Sequence, residues 1–319
     1  MNRFLSMPAG LRWTLFGILV LLVAASILVR VIQRSRPGTD LQEVLARIKT
    51  WWVLATIFSL ALVVGRSVSL AMFAFVSFLS LKEYFTAIPT RRADRRVLFW
   101  AYLAIPLQYY WVWSEWYGMF IVFIPIYVAL FIQVRMILVG ETEGFLESVG
   151  KIHWGTMVTV FSLSHTAYLL VLHDTSTAPA TLAGPGLVLY LVVLTQLNDV
   201  AQFLWGKSLG GPKIVPKVSP GKTWSGFLGG VGSTTVLATV LAPVLTPGDW
   251  EHWWHGTAAG LLISCGGFFG DLTISCMKRD LGIKDSGSTL PGHGGILDRV
   301  DSLTYTAPLY FHYSYWLYF

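Results

Sequence analysis

Charged residues are scarce in this sequence of 319 residues, because Asp, Glu, Lys and Arg together make up only 13% of it. Soluble domains usually carry about 25% charged residues, which cover their water-facing surface. The low fraction therefore excludes an ordinary soluble domain. Hydrophobic residues account for 54% of the chain and its mean hydropathy is +0.60.

Cysteine is nearly absent as well. The only two, Cys265 and Cys276, lie in one apolar segment. Two cysteines so placed exclude a disulfide framework of the kind that holds small secreted domains together. We expect both to be small residues buried between helices.

Long apolar runs recur from one end of the chain to the other, and many approach the length that crosses about 30 Å of hydrocarbon. They predict an all-α, polytopic transmembrane protein with about nine to ten spans in one continuous membrane domain. Residues 1–150 would hold N-terminal spans, and residues 151–319 the region that carries the chemistry. The candidate spans are 11–32, 51–65, 67–82, 98–114, 118–138, 155–173, 185–205, 224–246, 256–277 and 302–318.

The basic residues lie on one side of this arrangement. Twenty of the 23 Lys and Arg fall in the connections near 30–49, 82–96, 135–151, 207–222 and 278–299. The positive-inside rule puts these connections in the cytoplasm. We therefore expect a multi-pass protein of the cell inner (plasma) membrane. The net charge of +6 would then come from cytoplasmic loops that face anionic lipid, and it does not indicate nucleic-acid binding.

Two acidic residues, Asp199 and Asp271, stand inside apolar runs near their predicted cytoplasmic ends. A carboxylate in hydrocarbon costs about 2.5–3.5 kcal/mol on insertion scales, so it needs a cation, a proton or a water-filled cavity. One alternative is a structural ion pair or a helix-end residue that reaches the interface. The nearby Lys278, Arg279 and Lys284 favour instead a site where acids and bases act together.

The segment PGHGGILDRVDS, residues 291–302, adds further polar groups at the same membrane edge. Mg²⁺ binds through a few carboxylates together with substrate phosphates and water, so acids beside bases indicate a metal–phosphate site. We expect Asp298 to be a metal ligand. Asp301 or Ser302 could instead cap the last helix, and His293 could stabilise the turn or bind phosphate. Gly294 and Gly295 could let the backbone approach a phosphate.

A second polar cluster, GKSLGGPKIVPKVSPGKTWSG, spans residues 206–226 and is called the lysine loop below. Its GKT resembles a P-loop, but Pro216 replaces the first glycine that this motif requires. An ordinary basic cytoplasmic loop is one interpretation. The prolines and hydroxyls favour phosphate or nucleotide binding, and the candidate residues are Lys217, Ser219, Lys222 and Thr223.

Residues 275–301, called the signature segment below, contain SCMKR, KDSG and LPGHGGILDRVD. Across these 27 positions the chain resembles the phosphatidate cytidylyltransferase (CDP-diacylglycerol synthase) family without a departure. KVSPGKTWSG resembles the second conserved loop of that family, and Asp199 matches an acid that precedes it. The resemblance covers about residues 190–302, whereas the first 150 residues resemble the family only as generic spans.

This resemblance implies Mg²⁺-dependent transfer of CMP from CTP to phosphatidate, with CDP-diacylglycerol and pyrophosphate as products. It also implies a homodimeric membrane enzyme with a polar cavity open to the cytoplasm and a paired-metal centre, which allows a second cation. Metal would bind the residues matching Asp271 and Asp298, with Asp199 as a further candidate. The other candidate residues carried over are Lys278, Arg279 and Arg299 for catalysis, and Lys284, His293, Gly294 and Gly295 for substrate binding.

Two positions depart from the family pattern, since Val200 and Ser225 replace the Ser or Thr and the Glu common there. A paralogue that acts on another lipid phosphate therefore stays open. The intramembrane acids also allow a cation-coupled transporter, although the polar residues gather at one face and no inverted repeat is visible. A CDP-alcohol phosphotransferase is disfavoured because its motif is absent.

Overall fold

The computed structural model describes residues 7–35, 41–174, 181–182, 184–246, 253–290, 292 and 294–319. Within these residues helices dominate, and the only strands are the antiparallel pair β1 (His173–Asp174) and β2 (Thr181–Leu182). The α-helices are α1 (Ala9–Ser35), α2 (Gln42–Val64), α3 (Arg66–Ala87), α4 (Arg95–Trp113), α5 (Tyr117–Val122), α6 (Ala129–Ile137), α7 (Phe145–Thr156), α8 (Leu163–Leu169), α9 (Gly184–Leu209), α10 (Trp224–Leu245), α11 (Trp253–Asp280), α12 (Leu297–Val300) and α13 (Leu303–Tyr318). A 3₁₀ turn (Arg92–Asp94) precedes α4, and π-helical turns (Phe123–Val128 and Met157–Ser162) join α5 to α6 and α7 to α8.

Among the described residues, seven helical stretches are long and apolar enough to cross a membrane: Ala9–Ser35, Val44–Val64, Arg66–Ala87, Tyr117–Ile137, Gly184–Leu209, Trp224–Leu245 and Trp253–Asp280. They confirm the prediction of an all-α polytopic membrane protein. The three remaining predicted spans fall on α4, on the run from α7 to α8 and on α13, all of which are helical. The full number of spans stays a prediction.

The break between α2 and α3 has a clear backbone cause. Gly65 separates the two helices with φ of 127° and ψ of −178°, a conformation that is essentially restricted to glycine. At the same end of the molecule, Arg66 pairs with Glu115 at 2.5 Å and also donates to the carbonyl oxygen of Trp113. The start of α3 and the end of α4 therefore lie together. The charge pattern assigns both to the side of the membrane opposite the basic loops.

Helices α9, α10, α11 and α13 form the bundle that carries the polar residues. Asn198 on α9 is fully buried and joins three of these helices. Its amide donates to the carbonyl oxygen of Ser264 at 3.2 Å, and its side-chain oxygen accepts from Thr234 at 3.1 Å. Thr195 and Thr306 connect α9 to α13 at 3.1 Å. These buried and satisfied hydrogen bonds fix the register of the bundle.

Both cysteines of α11 are free thiols, so no disulfide forms between them. The expectation that both are buried is wrong, because Cys265 is half-buried and Cys276 is exposed. The reason is the face of the helix on which they lie. Leu261 and Phe269 precede and follow Cys265 by four residues and are also exposed. This face of α11 points away from the bundle, where lipid would cover it.

Candidate functional site

The lysine loop forms a compact turn between α9 and α10. Lys213 and Thr223 pair as an isolated bridge, and the backbone N–H of Ile214 donates to the carbonyl oxygen of Lys222 at 3.2 Å. The Thr223 side chain is buried and accepts from the N–H of Gly226 at 3.1 Å, as the N-cap of α10. The loop therefore directs the Lys222 side chain inward, towards α11.

The signature segment begins in the last turns of α11 and docks on the lysine loop. The Arg279 side chain donates to the carbonyl oxygen of Val218 at 3.2 Å. After α11 ends at Asp280, Gly282 turns the chain with φ of 69°. The two polar clusters that are separate in sequence thus share one end of the bundle.

Asp298 lies at the centre of the folded signature segment and is only 4% exposed. Its Oδ1 accepts from Lys278 at 2.8 Å. Its Oδ2 accepts from the N–H of Ser286 at 2.8 Å, the hydroxyl of Ser286 at 3.0 Å and the N–H of Gly295 at 2.9 Å. Burial raises the pKa of this carboxyl, but the bonds from Lys278 and the backbone outweigh it and hold the pKa below its usual value.

The glycines allow this close approach. A side chain at Gly294, where φ is 77°, would place its Cβ 2.7 Å from Oδ2 of Asp298. The backbone therefore approaches a carboxylate here. The N–H of Gly295, expected to face a phosphate, is engaged by the same oxygen.

A cavity of about 210 Å³ opens beside Asp298. Five aspartates and two basic side chains line it, and its wall is predominantly polar. We call it the carboxylate cavity; its lining residues are Asp199, Asp271, Lys278, Asp285, Asp298, Arg299 and Asp301.

Three of these aspartates come from different elements. Asp199 on α9 accepts from the Ser302 hydroxyl at 3.1 and 3.2 Å, and Asp271 on α11 accepts from Ser275 at 3.2 Å. The carboxylate of Asp301, just before α13, accepts from the adjacent N–H of Ser302 at 2.8 Å. Burial raises its pKa well above the usual value, and the charges of Asp271 and Asp199 add to the increase.

Lys222 lies against this group. Its Nζ is 2.6 Å from Oδ2 of Asp271 and donates to Gln202 at 3.0 Å. Burial lowers the pKa of this ammonium, but the charges of Asp271 and Asp199 outweigh burial and raise the pKa above its usual value. The lysine loop thus supplies a cation to the edge of the carboxylate cavity.

The donor set fits a hard cation that is shared with a phosphate. Five carboxylates facing two basic side chains leave an excess of negative charge, and oxygen ligands suit Mg²⁺. Within the described residues, no group of three or more His, Cys, Asp or Glu stands close enough to hold a metal alone. A cation here would complete its coordination with phosphate oxygens and water, as Mg²⁺ usually does.

The structure brings together many of the predicted site residues but not all of them. Asp199, Asp271, Lys278, Asp298 and Arg299 line the cavity, with Lys222 beside it. Other predicted residues do not line it: Arg279 faces the lysine loop, Thr223 caps α10, Ser219 is half-buried, and Lys217 and Lys284 are exposed. Ser302 donates to Asp199 and makes no capping bond. His293 lies outside the described residues.

Sequence reasoning missed two acids. Asp285 lies within the signature segment, yet no role is assigned to it from the sequence alone, and it lines the cavity. Glu83, in the last turns of α3, is 8% exposed and accepts hydrogen bonds from the signature segment. The available signal is an acid at the end of an apolar run, in the sequence FLSLKEYF, the same feature that identifies Asp199 and Asp271.

An apolar groove of about 380 Å³ runs along α11 and α13, the helices that carry Asp271 and follow Asp301. Its lining residues are Leu261, Leu262, Cys265, Gly266, Phe269, Tyr305 and Leu309. Phe269 precedes Asp271 by two residues and Tyr305 follows Asp301 by four. The groove therefore begins near the level of the carboxylates and extends deeper along the helices.

Known proteins resemble this chain over most of its length. The model of the cytidylyltransferase family matches residues 45–317. An uncharacterized protein of Escherichia coli, YnbB, is 44% identical over 300 residues, which is 94% of this chain and 96% of that protein.

Relatives with a named activity match a shorter region. A phosphatidate cytidylyltransferase of Brucella suis is 42% identical over 123 residues, 38% of this chain and 44% of that protein. One of Synechocystis is 45% identical over 116 residues, 36% of this chain and 38% of that protein. The match thus spans less than half of either named relative. The family model, in contrast, covers nearly the whole chain, so the chain belongs to the cytidylyltransferase family and is a nucleotidyltransferase.

Proposed function

We propose that the protein transfers CMP from CTP to a lipid phosphate, with phosphatidate as the first candidate, at the cytoplasmic face of the inner membrane. The products would be CDP-diacylglycerol and pyrophosphate. The observation that carries the proposal is the carboxylate cavity, where five aspartates face Lys278 and Arg299 at the end of a membrane bundle. The family match and the names of the relatives support the same chemistry.

The reaction requires one anion to attack another. An oxygen of the lipid phosphate would form a bond to the α-phosphorus of CTP while the bond to the bridging oxygen breaks, and the electron pair would leave with pyrophosphate. The attacking oxygen is already ionised near neutral pH, so no general base is needed. The cavity is lined by aspartates and cations.

Charge neutralisation is therefore the main task of the site. Lys222, Lys278 and Arg299 would contact phosphate oxygens, and Asp199, Asp271 and Asp301 would hold Mg²⁺ together with those oxygens. When bound, Mg²⁺ would supply positive charge that reduces the repulsion between the two phosphate groups. Asp298 would act mainly by holding the signature segment, because its Oδ2 accepts three hydrogen bonds from the segment itself.

The apolar groove would hold the lipid part of the substrate. Its acyl chains would lie along Leu262, Phe269 and Leu309 while the phosphate enters the carboxylate cavity. CTP would arrive from the cytoplasm, the side to which the charge pattern assigns the basic loops. A homodimer and a second cation, both implied by the family resemblance, remain part of the proposal.

A second candidate is transfer to a lipid phosphate other than phosphatidate. Its support is that Val200 and Ser225 depart from the family pattern, and that the two relatives named for phosphatidate match only 38% and 36% of this chain. The reaction and the site would be the same, and only the lipid would differ.

The test is turnover by the purified protein in detergent with Mg²⁺, labelled CTP and a panel of lipid phosphates. We expect a labelled CDP-lipid and an equal amount of pyrophosphate, and none from Asp271→Asn. Lack of product with every lipid phosphate, from protein shown to be folded, would refute the enzymatic proposal. Ion flux into liposomes without CTP consumption would support a transporter instead.

A further inference from the structure

Glu83 connects the N-terminal helices to the signature segment. Its Oε1 accepts from the hydroxyl of Thr289 at 2.6 Å and from the N–H of Ile296 at 2.9 Å. Its Oε2 accepts from the N–H of Leu297 at 2.9 Å and from the hydroxyl of Ser286 at 3.3 Å. Four donors from the segment therefore converge on one buried carboxylate, and all of its oxygens act as acceptors, as those of an ionised carboxylate do.

The four donors come from the two sides of the turn that lies between Thr289 and Ile296 and leads into Asp298. Ser286 and Thr289 precede the turn, whereas Ile296 and Leu297 follow it and begin α12. Glu83 thus fixes the separation between the two ends. Helix α3 also packs against α12, so the carboxylate is held on a rigid element.

One donor is shared between Glu83 and Asp298. The Ser286 hydroxyl lies 3.3 Å from Oε2 of Glu83 and 3.0 Å from Oδ2 of Asp298. Asp298 in turn pairs with Lys278 at 2.8 Å in the wall of the cavity. A chain of contacts therefore runs from α3 through Ser286 and Asp298 to a cation that faces the cavity.

Two glycines of the signature segment lie so close to the Glu83 carboxylate that a larger residue at either position would crowd it. A Cβ at Gly287 would lie 3.0 Å from Oε1 of Glu83, and one at Gly295 would overlap Oε2. Glycine at these two positions therefore leaves room for the Glu83 carboxylate against the signature segment.

We infer that Glu83 is a positioning residue of the active site, whose carboxylate holds the signature segment so that Asp298 and Lys278 keep their places in the carboxylate cavity. The inference rests on the proposed function and extends it, because it gives the N-terminal region a part in catalysis. Outer partners that orient a charged site typically change activity by about 10–100-fold when removed.

The variant that tests the inference is Glu83→Gln, which keeps the size of the side chain but turns an amide NH₂ towards donors. The kinetic readout is kcat at saturating CTP, lipid phosphate and Mg²⁺. We expect kcat to fall by about 10–100-fold, with KM for the lipid within about threefold, because the groove is untouched. The control is Glu147→Gln, since Glu147 is exposed on α7 and pairs with Lys151 at 2.5 Å.

A structural readout accompanies the kinetics. Amide hydrogen exchange at Ile296 and Leu297, which donate to Glu83, should become at least about tenfold faster in Glu83→Gln, while exchange in the middle of α11 stays unchanged. Unchanged exchange at these two amides would overturn the inference. So would accelerated exchange with a wild-type kcat.

A double-mutant cycle separates positioning from a general loss of fold. Ser286→Ala and Glu83→Gln should reduce kcat together by less than the product of their separate effects, because both act through Asp298. A loss of kcat in the double variant equal to the product of the two separate losses would contradict the inference. If Glu83→Gln does not fold, Glu83→Asp, which keeps the charge but shortens the reach, should still lower kcat by about tenfold, and a normal kcat there would be equally contrary.

Failure of the proposed function would look different. Wild-type protein without turnover on any lipid phosphate would refute the reaction, whereas the exchange of the Ile296 and Leu297 amides would still decide whether Glu83 holds the segment.

Discussion

The ammonium of Lys222 lies 2.6 Å from Oδ2 of Asp271, between the lysine loop and helix α11. The same ammonium lies 5.5 Å from the centre of the Phe268 ring, so its surroundings on one side are apolar. Asp271 is one of the carboxylates proposed to hold Mg²⁺. Lys222 therefore neutralises a proposed metal-binding position, and we expect a bound cation to displace it.

The first prediction concerns this displacement. Lys222→Met removes a competitor for Asp271 and also a cation that is proposed to contact phosphate. Without substrate, we expect Lys222→Met to reach half of its Mg²⁺-induced thermal stabilisation at a lower Mg²⁺ concentration than the wild type. We also expect its kcat to be reduced by about 100-fold. Lys207→Met, at an exposed position near the end of α9, should change neither quantity. Weaker Mg²⁺ binding in Lys222→Met would contradict the competition.

The second prediction separates two aspartates that the sequence treats alike. Asp271→Asn should reduce turnover by about 100-fold or more and leave the signature segment intact. Asp298→Asn should abolish turnover and also loosen the segment, since Oδ2 accepts three hydrogen bonds from Ser286 and Gly295. Limited proteolysis within residues 283–297 is the measurement. Equal protection of the two variants would show that Asp298 does not organise the segment.

The membrane fold and most of the residues that line the carboxylate cavity could be predicted from the sequence, because both leave strong local signals. Apolar runs of sufficient length predict helices, and polar residues inside or beside them are rare enough to identify the cavity. Individual roles could not be predicted, since they depend on where side chains point. Arg279 and Lys278 are adjacent in sequence, yet one reaches Val218 and the other Asp298.

Glu83 shows a different limit. It lies more than 200 residues before its partners Ile296 and Leu297, so only the packing of α3 against α12 brings them together. The expectation that both cysteines are buried failed for a similar reason, because hydropathy does not distinguish a helix face buried in the bundle from an exposed one. Cys276 is exposed.

The third prediction concerns stability away from the cavity. Asp94 is fully buried before α4 and accepts from Arg91 at 2.6 and 2.9 Å and from Ser148. Burial raises its pKa, but the bonds from Arg91 and Ser148 outweigh burial and lower the pKa below its usual value. Asp94→Asn should therefore destabilise the fold by about 1–3 kcal/mol at pH 7.

The pH dependence of that loss has a definite sign. A carboxyl whose pKa is depressed by folding contributes stability above its unfolded pKa of about 3.9 and loses it as the pH falls through the folded value. The difference in thermal midpoint between wild type and Asp94→Asn should be constant from pH 8 to pH 6 and shrink only below about pH 4. A difference that shrinks between pH 8 and pH 6 would assign the effect to another group.

The last prediction tests the side of the membrane on which the site lies. Ser288 is exposed in the signature segment, and Ser114 is exposed at the end of α4 that carries the Arg66–Glu115 pair. In a background with Cys265→Ser and Cys276→Ser, Ser288→Cys should react with a membrane-impermeant maleimide only in inside-out vesicles. Ser114→Cys should react only in intact spheroplasts, because the two positions lie at opposite ends of the helices. Labelling of both from the same side would contradict the topology, and the reversed pattern would put CTP access on the wrong side for the proposed reaction.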